Sequence, residues 1–223
     1  MQTLRKTYAL AAVIGLVLIG NVGLAFDDEG IQWWPSTEVS TGLTKNWKVT
    51  FEQSLRLGDD GGNLYHEYSD LAFTYSGLAE WLDVGAGFRL IYEKDSKDVW
   101  KRENRPRLDV TLKGKLFDCS VSSRSRFEFR DLTDKDDVWW YRNKFALKLP
   151  FELTGLKLKP YIADEIFITL TDDEIDRNRA YLGVIWPLCK GLDADIYYMW
   201  QASKSIEEWK DIYVIGTGLK FRF

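Results

Sequence analysis

The last thirteen residues, Asp211 to Phe223 (DIYVIGTGLKFRF), alternate without a break up to a terminal aromatic. Tyr213, Ile215, Leu219, Phe221 and Phe223 fall on one face, and Gly216, Gly218, Lys220 and Arg222 on the other. Alternation of period two gives a strand one apolar and one polar face. Where such an apolar face meets lipid, every backbone donor and acceptor must be paired within the protein, which a closed barrel achieves. The segment predicts the closing strand of a transmembrane antiparallel β-barrel of the outer-membrane type. Tyr213, Phe221 and Phe223 would serve as its assembly signal, read by the barrel-assembly machinery.

The start of the chain agrees. Arg5 and Lys6 precede a mostly apolar run from Tyr8 to Ile19, and Gly23-Leu24-Ala25 places small residues where a signal peptidase inspects them. Residues 1–25 read as a cleaved secretory signal and residues 26–223 as the barrel, which sends the protein to the cell outer membrane. The apolar run falls short of the about 20 residues a spanning helix needs. The formal charge is −4, and loss of Arg5 and Lys6 takes it to −6, so nucleic acid is not an expected partner. Cys119 and Cys189 fall near turns of strands that are not neighbours, beyond the about 7 Å between Cα atoms that a disulfide spans. They read as unpaired; no metal and no cofactor is expected.

Alternating segments recur at about 31–42, 47–57, 64–75, 81–93, 100–114, 117–131, 137–149, 156–168, 176–187, 191–202 and 211–223. One set of breaks is longer and mostly acidic, as in DLTDKDD (131–137) and TDDEID (171–176); the other is mostly shorter, as at Lys115-Leu116. In such barrels short turns face the periplasm and longer loops face outward. Eleven segments conflict with the even strand number of single-chain bacterial barrels, so the expectation is twelve strands with one hidden. The alternative is ten, with the N-terminal segment as a plug or partial strand, where Pro35 would suit an edge.

The two faces have distinct chemistry. Leu82, Val84, Ala86, Phe88, Leu90 and Tyr92 point one way, toward lipid, while Asp83, Gly85, Gly87, Arg89 and Glu93 point into the lumen. Trp139, Trp186 and Trp200 near strand ends suit interfacial girdles. Asp164 breaks the rule on the eighth segment, at an interface or at a bulge. Inward positions carry eighteen Lys or Arg against eleven Asp or Glu, and a basic lumen within low-dielectric walls concentrates anions.

Turn positions suggest how these charges line up. Arg105 is expected opposite Arg89 on one neighbour and Arg126 on the other, with Arg126 opposite Arg142; Arg107, Arg124 and Lys144 form a second row. Like charges directly opposite destabilise a sheet, so the rows need carboxylates or a bound anion. Glu93, Asp109, Glu128 and Glu165 are the candidate counter-charges, the last facing Arg179. Two functions follow: a narrow channel for small anionic solutes, or a closed, salt-bridge-filled barrel with a structural, adhesive or assembly role. The acidic loops would meet lipopolysaccharide, and the outer wall would meet lipid. No catalytic site is expected: the single histidine, His66, points inward, and the nearby Ser69 has the opposite parity.

Several segments together carry a likeness: WKVTFEQSLR (47–56), RSRFEFR (124–130), WYRNKFALK (140–148), KPYIADEIFI (159–168) and NRAYLGVIW (178–186). In these the chain resembles a family of Gram-negative outer-membrane barrels catalogued as a domain of unknown function (domain of unknown function 2490). The resemblance implies an exported barrel and brings no activity with it. Arginine tracks along a barrel wall are also similar, in general character only, to small twelve-stranded channels for acidic oligosaccharides.

Overall fold

The computed structural model of the protein describes residues 31–58, 61–133, 136–171, 174–204 and 208–223. The secretory signal read at residues 1–25 lies outside them. Eleven strands form one sheet: β1 (Ile31–Gly42), β2 (Trp47–Gly58), β3 (Asn63–Ala79), β4 (Leu82–Lys94), β5 (Trp100–Leu116), β6 (Cys119–Leu132), β7 (Val138–Lys148), β8 (Lys159–Thr169), β9 (Glu174–Cys189), β10 (Leu192–Lys204) and β11 (Trp209–Arg222). Neighbours in sequence are neighbours in space, and β1 meets β11 to close the barrel.

The closure corrects the expected strand number. Up-and-down order over an odd count leaves the first and last strands running the same way, so their seam must be parallel. It is, in register from Ile31 opposite Tyr213 to Ser40 opposite Arg222. No twelfth strand occurs among the described residues, and β1 is a full stave rather than a plug. Pro35 sits within it, and the β1–β2 ladder is interrupted between Trp33 and Ser36, where proline offers no donor. The Phe223 amide donates to the Ser40 carbonyl at 3.0 Å, tying the C-terminal residue to the first strand.

Two connections differ from the expected ones. β5 and β6 turn through Phe117 and Asp118, with Phe117 at φ 54°, rather than through Lys115-Leu116. β8 begins at Lys159, not near 156; before it, Leu153 and Leu158 form an isolated bridge, making residues 149–158 the longest connection at the end of the barrel that carries Phe223. The opposite end carries the acidic loops and the start of β1.

The apolar residues of β4 face outward as expected, with Phe88 and Tyr92 exposed while Arg89 and Ile91 are buried inside. Leu108, Phe127, Phe145, Ile162 and Leu182 continue this exposed apolar wall. Exposed Trp47, Trp81, Phe117 and Phe223 mark one end, and Trp100, Trp139 and Trp209 the other. Asp164 also faces outward, accepting from the Asn178 amide at 3.2 Å; the register shift lies further on, at Phe167/Ile168, with the extra residue, Asp176, on β9, so the alternation does not slip at the aspartate.

The core lies inside the barrel. On the side of β8 to β1, Trp34, Tyr161, Ala163, Tyr181, Met199 and Val214 pack together. Glycine makes this possible: a Cβ at Gly183 would collide with the ring of Tyr161, and one at Gly216 would fall within the ring of Tyr197. Each tyrosine covers the bare backbone of the adjacent strand, since Tyr161 pairs with Gly183 and Tyr197 with Gly216.

Candidate functional site

The other side of the lumen, from β3 to β7, is an ion-pair girdle. Its geometry follows from hairpin register. Arg89 faces Arg105, Arg126 faces Arg142, Arg124 faces Lys144 and Glu165 faces Arg179, all as expected from the sequence. The expected Arg105–Arg126 opposition does not occur. With the turn at Phe117-Asp118, Arg126 faces Asp109 and Arg107 faces Glu128, which also removes Arg107 from the row with Arg124. Asp109 and Glu128 thus interrupt the two expected rows, while Arg89–Arg105, Arg126–Arg142 and Arg124–Lys144 remain like-charged neighbours that need carboxylates close by.

Each girdle carboxylate serves several guanidiniums. Asp70 accepts from Arg89 Nε at 2.7 Å and from Arg107 Nε at 3.2 Å. Asp109 binds Arg107 and Arg126. Glu128, wholly buried, accepts from Arg105 at 3.2 Å and pairs with Arg142 at 3.0 Å and Arg126 at 3.6 Å. Glu165 is shared more loosely by Arg124, Arg179 and Arg142 at 3.6, 3.7 and 3.8 Å, and takes the Tyr181 hydroxyl at 3.0 Å. Shared charge-assisted contacts of this kind hold the planar guanidinium forks in fixed orientations.

Three of the four expected counter-charges, Asp109, Glu128 and Glu165, therefore sit among the arginines. Glu93 does not: its carboxylate lies 3.3 Å from His66 Nδ1, near the acidic-loop end. Its place is taken by Glu103, which the sequence reading passed over although it shares the parity of Arg105 and Arg107. Glu103 accepts from Arg105 Nε at 2.5 Å and from Arg130 at 2.8 and 2.9 Å. Asp70, outside the four expected counter-charges, likewise has a central place, binding Arg89 and Arg107. Ser69 points outward and bonds Gln53, so it and His66 lie on opposite faces of the wall.

Aromatic faces hold further cations. Arg89 lies 4.0 Å from the Tyr68 ring centre, Arg130 3.9 Å from Trp140, Arg56 4.0 Å from Trp34, and the Lys144 ammonium 3.6 Å from Tyr181. A cation over a ring face is attracted by the quadrupole without being neutralised. Three of these pairs join neighbouring strands, Arg89 with Tyr68 and Arg130 with Trp140 one diagonal step apart and Arg56 beside Trp34, whereas Lys144 and Tyr181 stand two strands apart, outside any single hairpin's register.

Between girdle and aromatic core runs a cavity of about 890 Å³. Its lining extends from Lys94, Asp95 and Thr133 at the acidic-loop end to Glu38, Asp195 and Lys220, and no further toward Phe223. Fourteen Lys or Arg line it against seven Asp or Glu, so among the described residues the cavity wall is basic. Arg124 and Lys144 belong to this lining, whereas Arg107, Asp109 and Glu128 are packed behind it. Of the expected assembly residues, Tyr213 and Phe223 are exposed on the outer face and Phe221 is half-buried there. Cys119 and Cys189 are free thiols.

Residues 31–211 match the family described as a protein of unknown function (DUF2490), while no curated protein matches the chain. That span runs from the first residue of β1 to the start of β11 and takes in every strand of the girdle, while Ile212 and Lys220 of the cavity wall lie beyond it. The chain, a closed eleven-stranded barrel with an arginine-rich interior, belongs to the DUF2490 family.

Proposed function

We propose that the protein is a Gram-negative outer-membrane barrel whose lumen admits small anionic solutes, without catalysis and without a cofactor. The observation that carries this reading is the twofold excess of basic over acidic residues along the cavity wall. Low-dielectric walls focus such a field and raise the local concentration of anions. The exposed apolar wall, with aromatic residues at both ends, supports a lipid environment in contact with lipopolysaccharide. Phe223 at the periplasmic edge would then present the closing strand to the assembly machinery.

Arg124 and Lys144 are the residues through which selectivity is best tested, since both line the cavity and Arg124 is only loosely paired. In planar bilayers under a salt gradient, the parent should show a reversal potential of anionic sign. Arg124→Ser and Lys144→Ser should move it toward zero. A second reading, the closed salt-bridge-filled barrel, is favoured by the three arginines held on Glu128 and by the lining that ends at Glu38, Asp195 and Lys220. A folded, inserted parent that does not conduct would select that reading.

A further inference from the structure

The girdle leaves two guanidiniums out. Among the described residues no carboxylate lies within ion-pair distance of Arg56 or Arg177, and the buried Nε of each has no acceptor. They are not isolated from one another. Arg56 on β2 and Arg179 on β9 lie 4.0 and 5.2 Å from the same Trp34 ring. Arg179 and Arg177 in turn share Phe167, at 4.7 and 5.5 Å, and Arg177 also stands 5.4 Å from Trp140. Arg179 is itself weakly compensated: its Nε donates to neutral Gln201 at 2.7 Å, and its share of Glu165 is a 3.7 Å contact divided with Arg124 and Arg142.

Three guanidiniums thus gather around Trp34 and Phe167 on the wall of the cavity, with the divided Glu165 in contact and Glu93 and Asp176 acting only from beyond ion-pair distance. Repulsion between them is only partly screened in this setting. The aromatic faces fix the planes of the forks but accept no N–H in-plane, so the edges remain to be satisfied. A planar or tetrahedral oxyanion supplies both the charge and the acceptors, and arginine forks bind it in bidentate fashion. We infer that Arg56, Arg177 and Arg179 form a binding site for the phosphate or clustered carboxylate groups of a small solute. The site deepens the proposed uptake of anions, on whose lumen it rests, but it is a claim about binding and is read without conductance.

The test uses the full barrel folded in detergent, with inorganic phosphate, pyrophosphate and citrate as probes in isothermal titration calorimetry. At least one probe should bind saturably, and Arg56→Ser and Arg177→Ser should each weaken it by about tenfold or more, the size expected for loss of a charge-assisted contact. Lys190→Ser, on the β9–β10 turn outside the cavity, should leave binding unchanged. Arg56→Lys keeps the charge without the fork and should retain part of the affinity. Because the bound probe stabilises the folded barrel in proportion to its affinity, it should also raise the unfolding temperature of the parent by more than that of Arg177→Ser at the same concentration. Absence of saturable binding by all three probes, or equal binding by parent and both serine variants, overturns the site. Binding by a barrel that does not conduct sustains the site and removes the conduit; conductance without binding does the reverse.

Discussion

Glu128→Gln is the substitution from which the girdle has most to lose. The side chain is fully enclosed, and its two oxygens serve Arg105, Arg142 and Arg126 at 3.2, 3.0 and 3.6 Å. Glutamine keeps the shape, but one oxygen becomes an NH₂ that faces guanidinium donors, and three cations lose their common counter-charge. Breaking a buried ion pair by removing one partner costs about 3–5 kcal/mol. The cavity beside the girdle admits solvent, which places the expected loss near the lower figure. Arg105→Gln should cost less, about 1–2 kcal/mol, because Glu128 keeps Arg142 and Arg126 while Glu103 keeps Arg130. Urea unfolding of the barrel from detergent micelles, followed by tryptophan emission, gives both values on one scale. A cost for Glu128→Gln under about 1 kcal/mol, or no greater than that of Arg105→Gln, would refute the buried girdle and make it a hydrated surface network.

Two further substitutions probe the wall. Phe223→Asp should leave secretion intact and lower the amount of heat-modifiable, inserted barrel, measured by gel shift of membrane fractions; normal levels of inserted protein would contradict the role given to the terminal aromatic. Gly216→Ala should destabilise by about 1–3 kcal/mol, because the added methyl occupies the ring position of Tyr197. The double variant with Tyr197→Ala, which removes that ring, should show a smaller penalty for the alanine in the same urea assay, and a penalty unchanged would locate the cost elsewhere.

Which face a residue takes was legible in the sequence almost throughout, because alternation survives errors in turn placement. Arg126 illustrates the limit. Moving the β5–β6 turn from Lys115-Leu116 to Phe117-Asp118 shifts its partner from Arg105 to Asp109, four residues along, and an even shift leaves every side chain on its own face. The turn itself was hidden because an aromatic, Phe117, takes the left-handed conformation usually marked by glycine or asparagine. Glu103 was within reach of parity alone. The Trp34–Arg179 contact was not, since it joins β1 to β9 past β11 and β10, and the register of one hairpin describes only neighbouring strands such as those of Arg56 and Trp34. The strand number resisted for a different reason: the even rule assumes an antiparallel seam, and this barrel closes with a parallel one.

That seam allows a kind of rearrangement that no other part of the wall allows. Withdraw any of β2 to β10 and the strands left on either side run the same way, with no short turn able to serve them. Withdraw β1 and the strands brought together, β2 and β11, run in opposite directions, so a ten-stranded barrel could close in the ordinary antiparallel manner. β1 is also the strand that carries Trp34 into the cluster of Arg56 and Arg179. β11, whose loss would bring β10 and β1 together in opposite directions, shares that freedom, but of the two seam strands it is β1, a twelve-residue stave, that also sets the least compensated charges.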